Sequence, residues 1–272
     1  MKILVSGASG FLGKHTVSLF NSLKYNYIKI LRGNITSKNE IFCDLSSKEQ
    51  VLKILNEIRP DVIVNLAAKP SFSDIESDEM FKVNVELVEL MANFCKSQNV
   101  HLIHSSGTIV HGFHHKLYNI KTPLEPRSEY GRQKLLAEKE IINSNCKYTI
   151  IRFGGIFGYK GPRHLGLNQS IENALSGIPP ELNGTGNSKR NYVFAKDAAK
   201  AIEYCLKNKK YGIFYSGGEI LTIKKMLETV CEVLLPSAHP LIKKGKDTHD
   251  QVIEVSSGFS FMNFKEALQN LK

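Results

Sequence analysis

Tyr130 and Lys134 lie four positions apart in "EYGRQK", a spacing that brings both onto one face of a helix. A free phenol titrates near about 10, so a tyrosine that moves protons near neutrality needs a cation to stabilise the phenolate. Lys134 is placed to be that cation, holding the pKa of Tyr130 down while bonding the ribose hydroxyls of a nicotinamide nucleotide. A hydroxyl to polarise the reacting oxygen would complete the chemistry. "HSSGTIVHG", residues 104–112, offers Ser106 and Thr108. His104, His111, His114 and His115 lie in or just after that stretch, but no helical or CxxC scaffold orients them, so no metal site is expected.

A second group of residues points to a phosphate-bearing ligand. "GASGFLG" sets Gly7, Gly10 and Gly13 in a GxxGxxG spacing between an apolar run and a helical pattern. A glycine turn there lets backbone amides approach a pyrophosphate, and the helix N-terminus adds partial positive charge. At the end of the next apolar run, a carboxylate would accept the adenosine ribose hydroxyls of NAD, whereas an arginine suits the 2′-phosphate of NADP. "ILRGN" supplies Arg32 with no carboxylate nearby, which favours NADP, with NAD as the alternative; a solvent-facing arginine would read the same. Asp44 in "CDLSS" stands either to reach the adenine edge or to cap the helix that follows.

The elements that must position these residues alternate. "KILVSG" reads as a buried strand and 11–23 as a helix, followed by strands at "YIKILRG" and "EIFCDL". "EQVLKILNEIRP" is an amphipathic helix stopped at Pro60, and "DVIVNLAA" is a strand. "VELVELMANFCKS" places Leu87, Val88, Met91, Phe94 and Cys95 on one helical face. "VHLIHSS", "YGRQKLLAEKEII" and "KYTIIRFGG" then read as strand, helix and strand. The pattern predicts an α/β fold, a Rossmann-type doubly wound parallel sheet with a small discontinuous C-terminal substrate-binding portion. Residues 1–158 plus about 190–215 form the dinucleotide-binding part, and about 159–189 with 216–272 the substrate-binding part. A helix is expected at 195–207, a strand at 212–216 and a helix at 222–234.

The chain has 272 residues, of which 42% are hydrophobic and 23% charged, enough for one large domain or two closely joined ones. No apolar run reaches membrane-spanning length, and Ser6, Gly7, Ser9 and Gly10 interrupt the first one too early for a signal peptide. A cytoplasmic location is expected, with Cys43, Cys95, Cys146, Cys205 and Cys231 as buried, reduced thiols. The net charge of +10 is spread along the chain, and the dense runs "KNKK" and "KKGK" lack interleaved aromatics. That argues against nucleic acid; a surface that draws in small anionic ligands explains the charge as well, and solvated lysine faces with no specific partner are the commonest outcome.

Taken in order, "GASGFLG", "RPDVIVNLAA", "FKVNVE", "SSGTIVHG", "YGRQK", "IIRFGGIFG" and "KRNYVFAKDAAKAI" carry a likeness to a known family. The chain resembles the extended short-chain dehydrogenase/reductases, the NAD(P)-dependent sugar-nucleotide epimerases, dehydratases and reductases. The resemblance implies a dinucleotide held by Gly7, Ser9, Gly10, Phe11, Leu12, Gly13, Arg32, Asp44, Leu45, Leu66, Ala67, Ala68, Asn84, Ser105, Tyr130, Lys134 and Ile156. It implies catalysis by Tyr130 and Lys134 with Thr108 or Ser106. It also implies a nucleotide-sugar substrate met by Lys69, His111, Gly155 and Arg190, the last on its phosphates. The usual strand end of the family runs roughly "SSxxVYG", which here puts Gly107 in the hydroxyl position and His111 in place of a tyrosine. Successive strand side chains face opposite ways, so a turn at Gly107 must bring one neighbour inward, and Thr108 is favoured.

Three functions fit this reading. The first is NADP-dependent reduction of a 4-keto sugar nucleotide for a deoxysugar or surface polysaccharide, with Tyr130 as proton donor. The second is NAD-dependent epimerisation, and the third a non-catalytic dinucleotide-binding sensor or scaffold. Arg32 favours reduction, as does the likeness of "KEQVLKILNEIRPDVIVNLAA" to deoxysugar reductases. Dehydration fits less well, because Thr108 and Ile109 stand where it calls for an Asp–Glu pair. A homodimer is an allowed assembly.

Overall fold

The computed structural model describes residues 1–70 and 77–271. Seven strands form one sheet: β1 (Lys2–Ser6), β2 (Asn26–Leu31), β3 (Glu40–Phe42), β4 (Val62–Asn65), β5 (His101–Gly107), β6 (Lys147–Phe153) and β7 (Gly212–Ser216). Their order is β7-β6-β5-β4-β1-β2-β3. β1 pairs in parallel with both β2 and β4, β2 with β3, and β4 with β5. Ile3, Leu4 and Val5 are consecutive and fully buried, so β1 is covered on both faces, as a continuous apolar run requires. The strand order reverses around β1, and such a switch point opens a crevice at the carboxyl ends of the strands.

The helices are α1 (Phe11–Ser22), α2 (Lys48–Ile58), α3 (Asp78–Phe81), α4 (Leu87–Gln98), α5 (Glu129–Ser144), α6 (Gly166–Leu175), α7 (Ala195–Lys207), α8 (Ile223–Leu234) and α9 (Phe264–Gln269). α2 turns Val51, Ile54 and Leu55 inward, is capped by the Ser47 hydroxyl and ends at Arg59 in the left-handed region (φ 47°) before Pro60. Left-handed Asn99 and Asn145 close α4 and α5 in the same way. The sequence pattern begins a helix at Val85, but the structure begins it at Asp78, where the Ser77 hydroxyl accepts the Met80 amide. A π-turn over Lys82–Glu86 joins α3 to α4. Apolar periodicity reports the buried face of α4 and is blind to the polar turn ahead of it.

Two compact units divide the chain. One comprises Met1–Phe113, Pro123–Arg152 and Ile202–Phe214, and the other His114–Thr122, Phe153–Ala201 and Tyr215–Lys272. The first is built on the sheet, with Leu4, Ile63, Leu102, Met91 and Ile141 in its core. The second packs Phe157, Phe194, Phe264, Ile171 and Val230 together, with the Phe157 ring centroid 5.5 Å from that of Phe194 and 5.2 Å from that of Phe264. All five cysteines are buried free thiols, and among the described residues no helix is long and apolar enough to cross a membrane.

Candidate active site

The glycine turn is shaped by what a side chain would strike. Gly7 has φ +69°, and a Cβ there would lie 2.5 Å from the Ala67 nitrogen at the end of β4. A Cβ on Gly13 would overlap the Gly7 carbonyl, so α1 lies against the turn only because that position is bare. Gly10 opens α1 with no side-chain cap, and its first turn carries no acidic residue. The initial amides, at Phe11, Leu12 and Gly13, are therefore left for an anion. Ser9 and Gly10 are exposed, while Phe11 and Leu12 are half-buried. This cradle fits the pyrophosphate of a dinucleotide, the group that the family resemblance implies.

A polar layer fixes the ends of β4 and β5. Asn65 accepts from the Ser6 hydroxyl and the Ala67 amide through its carbonyl oxygen, which leaves its amide nitrogen donating to His104 Nδ1 at 3.2 Å. The His104 proton is thereby set on Nε2, which has no partner among the described residues. Burial, and the nearby Lys134 charge, push the His104 pKa well below its usual value, so the ring is neutral. Asn84, in the π-turn, clamps Lys69 from both sides: it accepts the Lys69 amide at 2.8 Å and donates to the Lys69 carbonyl at 3.0 Å. Gln133 of α5 accepts from the same Asn84 amide. The short bends after β4, carrying Leu66, Ala67 and Ala68, are thus tied to α5.

Tyr130 and Lys134 share the expected face of α5. The Lys134 ammonium lies 5.8 Å from the Tyr130 ring centroid and donates to the Ser105 carbonyl at 2.9 Å. One expectation is corrected here. Burial pushes the Tyr130 phenol up to about 12, so Lys134 does not hold it below its ordinary value. A phenol kept protonated is suited to give a proton. Burial also lowers Lys134 to about 8, against the opposing charge of Glu138 one turn along α5.

Ser106 and Thr108 differ in their partners. Ser106 is buried, and its hydroxyl donates to Glu138 Oε1 at 2.5 Å. Thr108 opens a 3-10 turn, Thr108–His111, is half-buried, and has no hydrogen-bond partner among the described residues. Gly131 lets α5 approach this turn, since a Cβ there would lie 3.1 Å from the Ile109 carbonyl. His111 is fully buried, with both ring nitrogens beside protein groups: Nδ1 sits 2.8 Å from the Pro123 carbonyl and Nε2 3.3 Å from Arg152 Nη1. A guanidinium only donates, so Nε2 accepts and the proton stands on Nδ1. Arg152 in turn pairs with Glu138 through Nε and Nη2, the latter at 2.6 Å, with both side chains almost wholly buried. Ser106, Glu138, Arg152 and His111 form one support beneath the turn that carries Thr108.

The lysine makes the first unit sensitive to pH. If the Lys134 cation is the working form, kcat/KM of the free protein should hold below about 8 and fall tenfold per pH unit above it. Glu138→Gln removes a charge that raises the Lys134 pKa, so it should move this limb to lower pH. A profile flat through pH 9 (about one unit above the limb) would contradict the assignment.

At the end of β2 the structure departs from the sequence reading. Arg32 does have a carboxylate near it: Glu79 of α3, with Nη1 and Oε1 3.6 Å apart. Glu79 also pairs with the Lys69 ammonium, which is drawn there. Asp44 accepts from the amide and hydroxyl of Ser46, and these bonds, with the charges of Arg32 and Lys82, hold its carboxyl below the usual range. Leu45 beside it is buried. In the second unit, Ile156 lies in a short strand paired with Val193, and a Cβ on Gly155 would strike the Tyr192 ring. Arg190 is buried, and its guanidinium donates to the carbonyls of Lys189 and His249 and to the Thr248 hydroxyl.

These features define a Rossmann-type protein that carries a dinucleotide turn and a Tyr–Lys pair. Residues 3–216 match the NAD dependent epimerase/dehydratase family, and the chain belongs to it. A putative UDP-glucose 4-epimerase of Methanocaldococcus jannaschii is 24% identical over 97% of this chain and 90% of its own. A dTDP-4-dehydrorhamnose reductase of Burkholderia thailandensis is 28% identical over 80% and 71%. The crystal structure of UDP-N-acetylglucosamine 4-epimerase from Bacillus cereus superposes with a TM-score of 0.85 at 25% identity, covering 100% of this chain and 98% of that one.

Proposed function

We propose that the protein reduces a 4-keto sugar nucleotide, with NADPH as hydride donor and Tyr130 as proton donor. The observation that carries this reading is a Tyr130 phenol kept protonated by burial, above a Lys134 cation, with the Thr108 hydroxyl left without a partner among the described residues. A reduced dinucleotide, when bound, supplies the hydride. Gly7, Gly10, Gly13 and the first amides of α1 would hold its pyrophosphate, and Arg32 its 2′-phosphate. The phenol of Tyr130 gives its proton to the carbonyl oxygen as that oxygen becomes an alcohol. Thr108 donates a hydrogen bond to the developing alkoxide, and Lys134 stabilises the phenolate left behind.

Epimerisation is the second reading. It is favoured by the Glu79 carboxylate beside Arg32, which suits NAD better than NADP, and by the relative that spans nearly the whole chain. The two readings separate on turnover. A reductase should consume one reduced dinucleotide per 4-keto sugar nucleotide. A purified protein that retains tightly bound NAD, and interconverts sugar epimers with no net consumption, would overturn reduction in favour of epimerisation.

A further inference from the structure

Arg32 is the cation at the carboxyl end of β2, where a doubly wound fold meets the adenosine ribose. The acid that no residue around Arg32 in the chain supplies arrives instead from α3. Glu79 stands 3.6 Å from the Arg32 guanidinium and also pairs with Lys69, so one carboxylate bridges cations from the ends of β2 and β4. Asp44, which follows β3, is near enough for the Arg32 charge to lower its pKa. Among the described residues, two carboxylates, Glu79 and Asp44, and three cations, Arg32, Lys69 and Lys82, thus gather near the end of β2.

We propose that Glu79 sets the choice between NAD and NADP by competing with the 2′-phosphate for Arg32. This inference rests on the dinucleotide site proposed above. The side chains of Arg32 and Glu79 are 67% and 50% exposed, and an ion pair so wet is worth less than a tenfold factor. It can be opened. A ribose phosphate would offer Arg32 a bidentate, charge-assisted partner in exchange. That phosphate would then lie close to the displaced Glu79 carboxylate and to Asp44, and like charges at such range disfavour each other. Attraction to Arg32 and repulsion from the two acids oppose each other, and the chain accepts both dinucleotides. With a free 2′-hydroxyl on the ribose, Glu79 keeps its place and has an acceptor oxygen for it.

The test is a double-mutant cycle read as binding, with NADP+ and NAD+ titrated separately by calorimetry. Wild-type protein should bind both. Glu79→Gln should tighten NADP+ by about tenfold, about 1.4 kcal/mol, and change NAD+ by less than about threefold. Arg32→Gln should weaken NADP+ selectively, and in that background Glu79→Gln should give a smaller gain, because only the direct repulsion between carboxylate and phosphate remains to be relieved. Equal shifts for the two dinucleotides, no shift at all, or a gain undiminished without Arg32 would overturn the role of Glu79. Failure of the wild type to bind either dinucleotide would overturn the site reading together with it.

Discussion

Replacing Tyr130 by phenylalanine is expected to cut turnover of a 4-keto sugar nucleotide by about 10²–10⁴-fold, the range that general acid catalysis supplies. The half-buried phenol is the proposed proton source on α5, and desolvation that raises its pKa to about 12 keeps it protonated throughout the working range. Phenylalanine keeps the ring against the Lys134 ammonium, 5.8 Å from its centroid, and removes only the hydroxyl. Affinity for the dinucleotide should therefore change by less than about threefold while kcat collapses, because the lost interaction belongs to the transition state. A turnover loss below about tenfold would remove Tyr130 from the chemistry.

The second large effect is expected in stability. Glu138 and Arg152 form an ion pair with side chains 1% and 3% exposed, and Arg152 passes the network on to His111. Removing one member of such a pair strands a buried charge. Glu138→Leu or Arg152→Met alone should thus cost roughly 3–5 kcal/mol in urea unfolding. The double variant should recover most of that loss, since well-packed apolar side chains of similar size replace a buried pair at little cost. Single variants that lose under about 1 kcal/mol would show that the pair is not the support of the Thr108 turn.

Much of the fold was legible because its signals are local. The apolar runs in "KILVSG" and "VHLIHSS", the glycine spacing of "GASGFLG" and the i, i+4 pair in "YGRQK" each report on neighbours in the chain. The helix at Ala195–Lys207 and the strand at Gly212–Ser216 fall where periodicity put them. What escaped were partnerships between distant segments. His111 reads as a ligand beside Gly112, yet its partners, Arg152 and Pro123, come from β6 and the loop ahead of α5. One signal was available: an arginine inside the apolar run "TIIRF" must be paired if that strand is central, and Glu138 in "LLAEKEII" faces the same core. Arg32 was read without a carboxylate for the same reason. Glu79 belongs to a helix far along the chain, and only the close approach of α3 to β2 brings the two charges together.

The relation between Ser106 and Thr108 shows where a sequence pattern stops. Both hydroxyls flank Gly107, and alternation alone would put them on one face, opposite that of Gly107; the 3-10 turn that begins at Thr108 is what separates them. Ser106 is then drawn to Glu138, a partner invisible from the strand itself. Thr108 is left with no hydrogen-bond partner among the described residues, which is why it is the hydroxyl proposed to meet the substrate.

The most direct measurement follows the hydride. A reduced dinucleotide deuterated at the transferable position of its nicotinamide should be incubated with a 4-keto sugar nucleotide and the wild-type protein. Reduction predicts one deuterium on the former carbonyl carbon of the sugar, the dinucleotide oxidised in equal amount, and no transfer by the Tyr130→Phe variant on the same timescale. Sugar that changes configuration with no deuterium gained and no dinucleotide consumed would contradict it.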